Sequence, residues 1–305
     1  MTLDMKAYAS EFMTEIGFDR DAIASLSADL DKILANSESR ALIEECVELY
    51  NENIDRDYKV LVAMADKAGE LSGVHIYSAE MLMFIMLTKR LRELYREKNI
   101  SDKIWFDSVS DLKWKLWECK AVKGIWGSFV NVWYYRFFDM TRFALGRLQF
   151  EIWDVNDECT INGRDVKKGM KAISIHIPRT LTPLTKESKL DAYRQAVEVF
   201  GAEFGDQPVL FACHSWLLSK EMPELLKDGS NLKGFFDDFY IVKYETAEKG
   251  EYPDAWRLFD MEYTGNLDDY PEDSSLRRSY KAYLKNGGQM GWGMGFFFAD
   301  DVLGE

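Results

Sequence analysis

At 305 residues, with 47% hydrophobic and 30% charged positions, the chain is long enough for two globular domains with substantial cores. A formal net charge of -14 argues against phosphate backbones and anionic lipid surfaces as general partners, so nucleic-acid binding is not expected. The four cysteines are scattered without metal-ligand spacing, the first ten residues lack an apolar signal core, and the longest apolar run, Met81–Leu87, is far below the ~20 residues of a bilayer span; a cytoplasmic protein without a metal site or membrane insertion is expected.

In chain order, residues 1–140 read as an all-α domain of roughly six or seven helices. Prolines are absent from it. Asp19 precedes a helix whose Ile23, Leu26, Leu30 and Ile33 share a face, and Ala41–Tyr50, Tyr58–Leu71 and Ser78–Lys98 continue at helical spacing. Lys103–Cys119 and Phe129–Arg142 are read as helices dense in tryptophan, tyrosine and phenylalanine. Those rings suit a helix-packing core, with an acyl-chain slot as the sharper alternative.

From residue 141 to 305 the apolar period changes from 3.6 to 2. Leu148, Phe150 and Ile152 alternate with Arg147, Gln149 and Glu151 as in a half-buried strand, and Asn162–Gly163 signals a hairpin. Lys171–Ile177 alternates again. Pro178–Leu184 is a loop, and a helix follows, announced by Ser188 and Asp191 and buried along Leu190, Tyr193, Val197, Phe200 and Phe204. Val209–Cys213 is apolar on both faces, as a central strand should be. Strand, helix and strand therefore make a right-handed parallel unit. Further elements are a helix near Leu217–Leu226, strands near Phe239–Tyr244 and Trp256–Tyr263, and a helix at Leu276–Leu284. The glycines from Gly287 to Gly295 follow a helix instead of opening one, so a tight turn or bulged strand fits them better than a phosphate loop. The fold class is α+β: helical first, then a mixed sheet flanked by helices.

Ligands of a parallel unit gather beyond the carboxyl ends of its strands. His176 and His214 stand there, and an imidazole titrating near ~6.5 suits general base work. Ser215 and Glu151 are candidate partners, to bind substrate and to orient or replace a base. A structural hydrogen-bonding role competes for each histidine. Arg179, Thr180 and Thr182, at the entrance to a helix, could meet a phosphate; a plain connector is the competing reading. Cys213 alternates away from His214, which disfavours a Cys–His nucleophile pair.

The blocks Phe143–Glu151, Ile175–Pro178, Phe211–Leu218 and Ser230–Asn231, closed by Leu276 to Leu284 and Gly287–Gly288, resemble a bacterial acyltransferase-like family. Its members join a helical N-terminal domain to a GNAT-like C-terminal domain. The resemblance implies an acyl-coenzyme A ester between Lys171–Ile177 and Val209–Ser215, with its pyrophosphate on the backbone around Ile177, Arg179, Thr180, Leu181, Thr182 and Leu184. It also implies His176 or His214 as the base that takes a proton from an amine or hydroxyl acceptor, and Tyr240 as the acid for the thiolate. The loop departs from the usual Gln/Arg-x-x-Gly-x-Gly/Ala pattern, with Thr182 and Leu184 at the glycine positions. The function expected is acyl-coenzyme A-dependent transfer to a small-molecule or peptide amine. A non-enzymatic module that binds an acyl ligand or a protein is the alternative, and a helical scaffold is a weaker third.

Overall fold

A computed structural model of the chain describes residues 4–304. It divides into two compact units, the first ending at Phe143 and the second beginning at Ala144.

The first unit holds α1 (Met5–Ile16), α2 (Arg20–Ala35), α3 (Ser37–Glu52), α4 (Tyr58–Ser72), α5 (Ile76–Glu97), α6 (Asp102–Val109), α7 (Asp111–Lys123) and the short α8 (Tyr135–Phe138). Helix α5 is the hub: every residue from Ser78 to Thr88 is buried, as in a helix surrounded by others. Helix α1 is an addition to the elements read from the sequence, carried by Met5, Ala9, Phe12, Met13 and Ile16 on one buried stripe. The helix expected over Lys103–Cys119 breaks at Ser110, whose hydroxyl turns back to donate to the Phe106 carbonyl (2.7 Å). The one expected over Phe129–Arg142 is a 3₁₀ turn followed by α8, stopped where Met140 takes φ 61°. Part of the aromatic run forms packing core, while Phe106 is exposed and Trp114, Trp117, Trp133 and Tyr135 are half-buried. Trp105, Tyr134, Phe137 and Phe138 are all buried, and Phe84 meets both Tyr134 and Phe138 with ring centroids 5.0 Å apart.

Strand β1 (Arg142–Leu145) crosses that boundary, and the second unit goes on with β2 (Leu148–Asp154), the hairpin of β3 (Cys159–Ile161) and β4 (Arg164–Val166), β5 (Lys171–His176), α9 (Lys186–Phe200) and β6 (Leu210–Ser215). Then come α10 (Met222–Leu225), α11 (Asn231–Phe236), β7 (Tyr240–Thr246), α12 (Ala255–Phe259), α13 (Ser275–Lys285), β8 (Gly291–Phe298) and α14 (Ala299–Leu303). Six strands form one sheet in the order β1-β2-β5-β6-β8-β7. Strands β5 and β6 are parallel, as the strand–helix–strand reading requires, and the pairs β2–β5, β6–β8 and β8–β7 are antiparallel. On one face, Tyr193 of α9 packs on Phe211 and Phe297, with ring centroids 5.3 and 5.1 Å away. On the other, Ile161 and Val166 of the hairpin cluster with Ala172, Leu210, Ala212 and Phe296.

Several local expectations change. Helix α9 is capped by Thr185, whose Oγ accepts the Ser188 amide (3.2 Å), and its buried face is Lys189, Ala192, Tyr193, Ala196 and Phe200. The alanines let the helix sit close to the sheet. Buried Lys189 is compensated by Asp238 (2.5 Å) and the Gly234 carbonyl (2.6 Å). Trp256–Tyr263 is not a strand: Ala255, Leu258 and Phe259 bury at helical spacing in α12, and Asp260 ends it in the left-handed conformation. The helix expected near Leu217–Leu226 is a 3₁₀ turn followed by α10. Of the late glycines, Gly287 takes φ 86° in the turn after α13, and Gly291, Gly293 and Gly295 lie in β8, where a Cβ on Gly293 would fall 1.9 Å from the Leu218 carbonyl oxygen. Among the described residues no helix is long and apolar enough to cross a membrane.

Candidate functional site

The sheet opens at its centre. Strands β5 and β6 share only two paired rows, Ile173 with Phe211 and Ser174 with Ala212, yet β5 runs on to His176 and β6 to Ser215. Past Ser174 each strand keeps its outer partner: His176 still pairs with Gln149 of β2, and Ser215 with Gly293 of β8. The facing backbone edges thus part at the carboxyl end of the parallel pair.

His176 and His214 each stand two residues beyond the last shared row. Side chains two apart on a strand point the same way, so both lie on the face of Ser174 and Ala212. Glu151 pairs with Ser174 in register and is the diagonal neighbour of His176 on that face. Its Oε1 lies 2.7 Å from Nε2 of His176, and the two side chains are only 15% and 21% exposed. Across the gap Nε2 of His214 is 3.6 Å from Oε2 of Glu245, with exposures of 47% and 45%. The Lys243 ammonium, 2.7 Å away, chiefly lowers the Glu245 carboxyl, and His214 adds to this. Glu245 escaped the sequence reading because two ladders, β6–β8 and β8–β7, bring it to His214, and no local pattern encodes that register.

Ser215 turns to the opposite face, where its Oγ accepts the Leu217 amide (3.2 Å) and caps the 3₁₀ turn. Cys213 shares that face and is fully buried, which pushes its thiol up to about 12 and leaves it a poor nucleophile. Tyr240 is not brought to the gap. Its hydroxyl donates to Oδ1 of Asn162 (2.5 Å), and β7 is three strand spacings, roughly 14 Å, from β5.

The loop between β5 and α9 is shaped by Arg147, which donates to the Thr182 carbonyl (2.8 Å) through Nε and the Pro178 carbonyl (3.0 Å) through Nη1. Two acceptors are thereby turned away from any incoming anion. The Thr182 amide donates to Oγ of Thr180 (3.2 Å), Ile177 packs on the apolar cluster around Phe259 and Tyr280, Leu184 is buried, and Leu181 is 73% exposed. Arg179 is not aimed at the gap: its guanidinium forks onto the Asp260 carboxylate, which Arg277 also binds. Neither Thr182 nor Leu184 adopts a positive φ, so the missing glycines impose no backbone strain. Among the described residues no group of three or more His, Cys, Asp or Glu side chains could hold a metal ion.

A mixed sheet split between two central parallel strands, with a helix entering after the first of them, defines a GNAT-like fold. Residues 143–297 match the GNAT-like C-terminal domain, and residues 7–140 match the N-acyltransferase N-terminal domain. The chain belongs to the family that carries these two domains in this order. None of the curated proteins compared with the chain matches it. The fold is shared with an acyltransferase solved in complex with decanoyl-CoA and teicoplanin, at a TM-score of 0.73 and 18% identity over 95% of this chain and 87% of that one. An acyltransferase in complex with CoA and 10C-teicoplanin gives a TM-score of 0.74 at 18% identity, again over 95% and 87%. A mutant acyltransferase in complex with octanoyl-CoA gives 0.72 at 18%, with the same coverage.

Proposed function

We propose that the chain is an acyl-coenzyme A-dependent N-acyltransferase whose base is His176, oriented by Glu151. The observation that carries this is the half-buried pair at 2.7 Å, placed where β5 and β6 part. An extended, amide-bearing ligand suits two strand edges that no longer pair with each other, and the crystallised neighbours with decanoyl-CoA and octanoyl-CoA support a coenzyme A ester there. The loop from Ile177 to Leu184, its carbonyls at Pro178 and Thr182 drawn aside by Arg147, would receive the pyrophosphate.

In this reading Glu151 accepts the Nε2 proton of His176, and Nδ1 acts as the base. The amine nitrogen attacks the thioester carbonyl while its proton passes to Nδ1. A C–N bond forms, the C–S bond breaks, and the imidazolium proton goes to the departing thiolate. No step is given to Tyr240, which is tied to Asn162. His214 and Glu245 would face the acceptor across the gap. The acceptor is an unidentified small-molecule or peptide amine. A cytoplasmic setting suits the four free cysteines, three of them buried.

The retention of Arg179 by Asp260 favours a second reading, a GNAT-like module that binds an acyl ligand or a protein without turnover. Isothermal titration with acetyl- and decanoyl-coenzyme A, followed by thiol release in the presence of an amine panel, separates the two. Saturable binding with turnover supports the enzyme. Binding without turnover against the panel favours the module, and no binding of either ester removes both acyl readings.

A further inference from the structure

We propose that the segment after β7 carries a pocket for an alkylammonium group, walled by Tyr252, Trp256 and Tyr263 and supplied with negative charge by Glu251 and Glu262. All five line one cavity of about 450 Å³. Its residues follow β7 in the chain and belong to neither of the parted strands, and the proposal does not rest on the acyl-transfer reading.

Ring geometry comes first. Tyr252 and Tyr263 meet nearly at right angles, with centroids 4.7 Å apart and planes inclined by 74°. That gives two walls of a corner instead of a stacked pair. The corner is backed by the core. Tyr263 abuts Tyr270 at 6.2 Å, and buried Tyr270 stacks on Phe259 with centroids 4.0 Å apart. The loop is also fastened to the sheet, because the indole N–H of Trp292 in β8 donates to Oδ2 of Asp254 (2.6 Å). Tyr263 nevertheless remains 39% exposed, so an aromatic surface is presented to solvent on a rigid support.

Charge then selects the ligand. Aromatic faces are the negative part of the ring quadrupole and attract cations, most strongly organic ammonium groups that shed water readily. The Arg257 guanidinium makes this contact with Trp256, 4.3 Å from the ring centroid, and its own charge is met by Asp254 at 2.8 Å. Two carboxylates line the same cavity, in a chain of net charge -14. An anion would meet repulsion from both sources, and a neutral group of the same shape would gain only the apolar contact.

The test is calorimetric titration of the full chain, without acyl-coenzyme A, using choline and its uncharged carbon analogue 3,3-dimethylbutan-1-ol at matched ionic strength. Choline should bind saturably and the analogue roughly tenfold or more weakly, the ratio expected of a cation–aromatic contact. Tyr263→Ala should weaken choline by about tenfold while Tyr263→Phe, which keeps the ring, stays within about twofold. Should Tyr263→Ala lower the melting temperature enough to blur the result, the exposed pair Glu251→Gln with Glu262→Gln decides, with an expected loss of roughly three- to tenfold. Equal binding of choline and its analogue, choline binding indifferent to Tyr263→Ala and to the glutamine pair, or no saturable choline binding would each overturn the proposal. None of these results bears on thioester turnover, so the two readings fail separately.

Discussion

The two histidines at the gap have the same chemistry, the same face and the same height in the sheet, yet they stand in different surroundings. Glu151 lies on a strand paired along its length with β5, and it meets His176 where both side chains are largely covered. Glu245 lies on the edge strand β7, holds Lys243 at 2.7 Å, and meets His214 at 3.6 Å with nearly half of each side chain in water. Low local dielectric strengthens the first hydrogen bond. Water and a competing ammonium dilute the second, which has the character of a surface ion pair. Secondary structure alone makes the histidines equivalent; the position of their carboxylates within the sheet separates them.

The largest effect should come from His176→Ala. Removing a general base typically costs ~10²- to 10⁴-fold, so kcat/KM should fall in that range while the affinity for acyl-coenzyme A by calorimetry stays close to wild type. Glu151→Gln should cost about tenfold in kcat, because the amide can still touch Nε2 but cannot stabilise the imidazolium. An effect of Glu151→Gln confined to KM would instead make Glu151 a substrate-binding group. His214→Ala should change kcat by less than about threefold, as expected for an exposed group. If His214→Ala proves the more damaging of the two histidine variants, the assignment is reversed.

Much of this arrangement was legible in the sequence because alternation and strand ends are local signals. Leu148, Phe150 and Ile152, the Asn162–Gly163 turn, and the apolar run into Cys213 each sit in the strand or turn their pattern implied. His176 and His214 were placed together because a parallel unit brings its strand ends together. What stayed hidden depends on register or on distant partners. The diagonal contact of Glu151 with His176 needs the β2–β5 register, Glu245 needs two further ladders, and the capture of Arg179 by Asp260 joins residues 81 apart in sequence. The place of Tyr240 is hidden for the same reason, since β8 enters the sheet between β6 and β7 and sets the tyrosine's strand away from the gap. Trp256–Tyr263 misled in another way. A short segment with apolar residues at both spacings does not reveal its period, and burial of Ala255, Leu258 and Phe259 decided for helix.

The smallest catalytic effect should be that of Ser215→Ala, and it probes the face assignment on which the comparison rests. Ser215 follows His214 directly, so a serine that binds substrate beside the base would be costly to lose. In the structure its side chain lies on the other face and caps the turn at Trp216–Leu218. The expected outcome is turnover within about twofold of wild type together with a loss of about 1 kcal/mol of stability, typical of a removed cap. Thermal melts and steady-state rates on the same preparation separate the two quantities. A fall in turnover beyond tenfold with an unchanged melting temperature would mean that the strand end is rotated, and it would withdraw the shared face assigned to His176 and His214.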